Sequence, residues 1–205
     1  MIIDISRSLR LGVAVFPMDT VYEEEFVARI GGEVPVNVSK ITMSAHCGTH
    51  ADAPYHYDEK GEKIAALDLD IFVGPCRVID AQRAGPLCLP EHVAPFLKDA
   101  PPRILLRLFA GQDSQSWNEN FRALAAETVE LLAAHGVKLV GVDTASVDPA
   151  TSKTLPAHKA FHRNSMIILE NLLLDHVEAG DYELIALPLK LENLDASPIR
   201  AVLRR

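Results

Sequence analysis

The alternation of apolar and polar positions along the chain predicts many short strands and few helices. Residues 2–5 (Ile-Ile-Asp-Ile) read as a first strand, and residues 9–16 continue extended as far as the turn Pro17-Met18-Asp19-Thr20. Residues 40–46 are β-branched and alternating, which predicts a strand ending near His46. Further strands are expected at 76–80, at the nearly continuous apolar run 103–108, at 138–143 and at 166–170, the last closing on Glu170. Two more fall at 182–189, where Pro188 limits the ladder, and at 199–203. Pro90 opens a helix through about residue 98, a longer helix spans 126–135 before Gly136, and Pro156 opens a short one over 157–164. A helix between the apolar strands 103–108 and 138–143 is the pattern of a crossover unit.

Two stretches fit neither period. Residues 21–36, with Glu23-Glu24-Glu25 and Gly31-Gly32, predict an irregular arm whose glutamates are solvated, and 111–120 predicts a polar loop carrying the only tryptophan, Trp117. No repeat, low-complexity tract or linker divides the chain. The simplest assembly is one α/β domain over residues 1–205 with a mixed sheet.

Composition narrows the partners. With 48% hydrophobic and 23% charged residues the chain is an ordinary globular one, and its net charge of -8 argues against nucleic acid or an anionic membrane as partner. The start lacks the charged-then-apolar pattern of a signal peptide and no apolar run is long enough to span a bilayer, so a cytoplasmic protein is expected. Cys47, Cys76 and Cys88 are odd in number and lack metal-ligand spacing, which predicts reduced thiols, with Cys76 a small core residue.

The chemistry concentrates in residues 44–56. Within eleven positions stand His46, His50, Asp52 and His56, three imidazoles and a carboxylate. Gly48 allows a sharp turn that folds His46 and His50 toward one point, Asp52 can join them along an extended chain, and Pro54 bars a regular continuation. Such ligands suit zinc, manganese or iron without thiolate. Cys47 is set aside because its side chain points away from that of its neighbour His46 if strand geometry persists. Farther on, the strand-end loop 143–149 is a typical place for polar site residues, and His158 and His162 share a helix face. Glu170, an acid closing an apolar strand, is either exposed at a loop or held by a cation.

The run His46-Cys47-Gly48-Thr49-His50-Ala51-Asp52-Ala53-Pro54-Tyr55-His56 resembles the signature of the metal-dependent cyclase-like hydrolases. Several further stretches resemble one branch of it, the bacterial kynurenine formamidases: Phe16-Pro17-Met18-Asp19-Thr20, Gly74-Pro75-Cys76-Arg77-Val78-Ile79, Ser152 to His158, Ile168-Leu169-Glu170, and Tyr182 to Lys190 running on to Asp195-Ala196-Ser197-Pro198. The resemblance implies a swivelling β/β/α fold and two zinc ions per subunit, with manganese, cobalt or iron as substitutes. It implies hydrolysis of N-formyl-L-kynurenine to formate and L-kynurenine in tryptophan breakdown. By matching motifs it assigns His46, His50, Asp52, His158 and Glu170 to the metals, both carboxylates shared, and His56 to proton donation and acceptance. His162 is the local rival of His158 as a ligand, and a third structural ligand is the rival role for His56. Phe16 stands where the family usually has a substrate-contacting tryptophan, so it is the expected aryl contact, with Tyr55 and Tyr57 as other aromatic neighbours. That departure keeps hydrolysis of another aryl or cyclic amide, such as isatin, as the alternative. The arm 20–36 points to a homodimer.

Overall fold

Four apolar runs, bounded by turn residues, form the middle of one nine-stranded sheet. A computed structural model describes residues 1–83, 85–109 and 116–205. Its strands are β1 (Ile2–Asp4), β2 (Glu23–Ala28), β3 (Val38–Thr42), β4 (His50–Asp52), β5 (Val73–Asp80), β6 (Leu87–Cys88), β7 (Arg103–Arg107), β8 (Ala123–Leu124), β9 (Leu139–Val142), β10 (Ile167–Glu170), β11 (Gly180–Ile185), β12 (Ala196–Pro198) and β13 (Val202–Arg204). Its helices are α1 (Pro90–Val93), α2 (Ala126–Ala134) and α3 (Pro156–Arg163).

The sheet order is β1-β13-β11-β5-β7-β9-β10-β4-β12. Strands β5, β7, β9 and β10 pair in parallel, and the strands outside them pair antiparallel. The expected crossover is present as β7–α2–β9. The central strands carry apolar residues on both faces because both are covered. Ile104, Leu106, Val140, Val142 and Ile168 face one core with Leu132 and Phe161 of the helices. Leu105, Leu139 and Leu169 face the other, with Phe72, Leu184 and Leu203. The architecture is therefore mixed α/β. Among the described residues no helix is long and apolar enough to cross a membrane. The three cysteines are free and buried, Cys76 within the core.

Four expectations change. The arm is not irregular: β2 pairs with β3 in a separate two-stranded hairpin, and Glu25 meets Lys40 at 2.8 Å on its exposed surface. The strand expected over 40–46 belongs to that hairpin and stops at Thr42, so His46 lies in a turn and the sheet strand of the site is β4. β-Branched alternation marks a strand but not the sheet it joins. Residues 9–16 are interrupted by a turn at residues 11–12, with Gly12 at φ +81° and Val13 N–H donating to the Arg10 carbonyl at 3.0 Å, and none of them joins a strand. At the C-terminal end the ladder strands are Gly180–Ile185 and Val202–Arg204, and the short β12, which contains Pro198, carries no propensity signal of its own. Of the expected loop 111–120, residues 111–115 lie outside the described residues.

Candidate metal centre

The site starts from the register of two neighbouring strands. In β4 the side chains of His50 and Asp52 fall on one face, and the antiparallel pairing with β10 sets Glu170 opposite His50. His46 is returned to them by the turn at Gly48, whose φ of +69° is the left-handed region that glycine adopts freely. α3 delivers His158 from its first turn.

These five side chains converge. His46 Nδ1 lies 3.1 Å and His50 Nε2 3.3 Å from Asp52 Oδ1, while His158 Nε2 lies 3.8 Å from Asp52 Oδ2. Glu170 spans the same gap, with Oε2 3.5 Å from His50 Nε2 and Oε1 3.9 Å from His158 Nε2. Each carboxylate thus has one oxygen toward His50 and the other toward His158, the arrangement two shared ligands require. Cys47 is excluded as expected: it is buried beside Val13 and Tyr22, and desolvation pushes its thiol up to about 11.

The tautomers follow from the opposite ring nitrogens. His50 Nδ1–H donates to the Gly48 carbonyl at 2.9 Å, His158 Nδ1–H to Asp148 Oδ2 at 2.7 Å, and His46 Nε2–H to Asp195 Oδ2 at 3.0 Å. Those partners leave one bare nitrogen on each ring, and all three bare nitrogens face Asp52. Among the described residues, His50 Nε2 and both Asp52 oxygens are buried without a hydrogen-bond partner. Buried polar atoms are rarely left so, and a cation is the partner that nitrogen lone pairs and carboxylates share. The residues present therefore fit a metal.

The field points the same way. Burial opposes charge on His50 and His158, yet the neighbouring carboxylates outweigh it and push both imidazoles up to about 10. Burial likewise opposes charge on Asp52, and the imidazoles hold it well below the usual carboxylate range. A pocket that retains protons this strongly attracts a cation in their place.

His56 stands one step outward, on a single 3₁₀ turn begun by Pro54. Its ring centroid is 4.2 Å from that of His46, and Nδ1–H donates to Asp195 Oδ2 at 3.0 Å. His46, Asp52 and His56 also offer ligand atoms within 4.8 Å of one another, so the ligand role open to His56 remains geometrically available. His162 is not brought in: it is exposed and pairs with Asp58 at 2.9 Å, with Tyr57 between it and His158.

Phe16 lines the mouth of a cavity of about 480 Å³ that reaches His46, His50, His56, His158 and Glu170. Its ring meets Trp117 at 4.9 Å, edge to face. Of the other aromatics considered, Tyr57 packs on His158 and Tyr55 is exposed beneath Lys63.

Two acids were not identified as site residues from sequence. Asp148 is buried and accepts from Ala157 N–H and His158 N–H, both at 3.0 Å, as well as from the His158 ring. It thus caps α3, whose own N-cap position, Leu155, supplies no side-chain bond. Its place in the strand-end loop 143–149 was the available signal. Asp195 holds two imidazoles with one oxygen, and its backbone carbonyl accepts from Ala53 N–H at 2.8 Å. Nothing local in sequence marks it as a partner of His46 and His56.

A family model described as "Putative cyclase" matches residues 3–149. The chain is 53% identical over 201 residues to a kynurenine formamidase of Delftia acidovorans (strain DSM 14801 / SPH-1), covering 98% of this chain and 96% of the relative. Among solved structures, a predicted metal-dependent hydrolase from Bacillus stearothermophilus superposes with a TM-score of 0.84 at 26% identity, covering 99% of this chain and 97% of that one. Isatin hydrolase A from Labrenzia aggregata, bound to benzyl benzoate, gives 0.82 at 22% identity over 99% and 93%, a likeness of fold. Identity sustained over almost the whole of both chains, together with the family match, places this chain in the cyclase family of hydrolases, on its kynurenine formamidase branch.

Proposed function

We propose that the protein is a cytoplasmic metal-dependent amidohydrolase that cleaves N-formyl-L-kynurenine to L-kynurenine and formate, residues 1–205 acting as one catalytic domain. The observation that carries the reading is the convergence of three bare imidazole nitrogens and two carboxylates, each facing two imidazoles, beside a cavity. We assign His46, His50, Asp52 and Glu170 to a first divalent cation and Asp52, His158 and Glu170 to a second, so that both carboxylates would be shared. Zinc suits this donor set best, and manganese, cobalt and iron share its preferences. When bound, such cations polarise a carbonyl and lower the pKa of water from about 15.7 to about 7.

The chain supplies the rest. Asp52 on β4 and Glu170 on the neighbouring β10 would hold the cations and offset their charge. His56, oriented by Asp195, lines the cavity and delivers a proton to the departing aryl amine, a role that imidazole serves well. Phe16 lies against the aryl ring. The hairpin β2–β3 exposes Phe26, Val27, Ile30, Val38 and Ile41, and we take it as the contact of a homodimer, which light scattering on purified protein tests directly.

Elemental analysis paired with a formylkynurenine assay before and after chelation tests the whole reading. Bound zinc and turnover that vanishes with the chelator and returns with the metal are expected, and turnover unaffected by metal removal sinks it. Rates on isatin measured in parallel decide the alternative, which has support from fold likeness alone.

A further inference from the structure

Besides the metal ligands, the cavity is lined by two aromatic rings, Phe16 and Trp117, backed by a third, Phe121. Phe121 is buried in the protein, Trp117 packs edge to face against it at 6.1 Å, and Trp117 in turn meets Phe16 at 4.9 Å. Phe121 anchors the inner end, Phe16 is exposed at the outer end, and Trp117 is half-buried between them with surface open to the cavity. The same cavity wall holds His46 and His56.

A large apolar ring left partly open to water gains free energy when a second apolar surface covers it. Two rings meeting edge to face leave an angular recess, here opened by the 68° between their planes, into which a third flat ring packs without displacing either. The scissile amide of an aryl formamide must reach the cluster at the cavity floor, so its ring lies toward the mouth where Phe16 and Trp117 stand. We infer that Trp117 is a substrate-binding residue, forming with Phe16 the recess that holds the aryl ring. This inference rests on the proposed aryl-formamide activity and adds a residue to it. Because the contact is with a ring that does not change during bond cleavage, Trp117 contributes equally to ground and transition states.

The test uses metal-loaded full-length enzyme with Trp117→Leu, which keeps apolar bulk against Phe121, and Trp117→Phe, which keeps a ring. For Trp117→Leu we expect KM for N-formyl-L-kynurenine to rise roughly tenfold with kcat within about twofold and metal content unchanged. The calorimetric Kd for the product L-kynurenine should weaken by the same factor, and Trp117→Phe should recover most of both. Wild-type KM and Kd in a folded, metal-replete Trp117→Leu protein overturn the inference while leaving the activity standing. Equal loss in both variants, or loss confined to kcat, also overturns it, because it marks a role in folding or in chemistry. Absence of turnover in the metal-loaded wild type overturns the parent reading and this one together.

Discussion

His56 and Asp148 illustrate two ways in which a single side chain serves the centre. His56 lines the cavity and is held by Asp195, so on the proposed role His56→Ala should lower kcat roughly 10²- to 10⁴-fold, the range for loss of a positioned proton donor, with metal content measured by elemental analysis unchanged. Near wild-type activity would return the proton to another group, and a lost metal would make His56 a ligand. Asp148 acts one bond away, orienting the His158 ring and capping its helix, so Asp148→Ala should weaken metal affinity roughly 10- to 100-fold in a competition titration. pH dependence follows from the imidazoles. In metal-free protein His50 and His158 titrate near 10 rather than 6.5, so the stability they contribute is fully present below about pH 6.5 and is lost as pH rises through about 10. The unfolding midpoint of chelated protein should therefore fall across that window. Metal-loaded protein should fall less, because the cation has replaced the protons.

At the scale of elements, the turn at Gly48 and the strand β4 form one device. The turn reverses the chain so that His46 returns to the face shared by His50 and Asp52, and His50 locks its ring on the Gly48 carbonyl. An added Cβ at this φ of +69° is strained and would stand 2.5 Å from Leu9 Cδ2, the movable end of a side chain. The backbone cost then dominates, and Gly48→Ala should lose about 1–2 kcal/mol, seen as a fall of about 2–8 °C in unfolding midpoint by calorimetry. Metal affinity should fall with it, and an unchanged affinity would mean that the turn is not what presents His46. The register of β4 on β10 is equally specific. A slip of one residue would turn His50, Asp52 or Glu170 to the opposite face, and the apolar Ala51 and Leu169, fully buried there, oppose the slip.

For the whole molecule, the proposed centre would be a stabilising ligand site as well as a catalytic one. It joins β4, β10, α3 and the preceding turn, and a cation bound only by the folded chain adds about 4 kcal/mol when free metal exceeds Kd by about a thousandfold. Chelation should therefore lower the unfolding midpoint of the wild type, and by less in His158→Ala; an equal drop in both would place the stabilising metal elsewhere. The sequence by itself was enough for the parts governed by neighbours along the chain: the central apolar strands, α2 and α3 with their proline and glycine boundaries, and the cluster His46, His50, Asp52 and His56, dense enough to read as a metal site. The roles of His158 and Glu170 came from likeness to the family motifs, since nothing in their spacing links them to residue 50. Tertiary structure alone decided that residues 23–42 form a separate hairpin, that Asp195 holds two imidazoles, that Asp148 orients His158, and that Trp117 stands against Phe16. Local pattern reflects propensity and period, whereas these contacts join residues up to 149 positions apart, and they exist only once strand order and register bring both ends to one place.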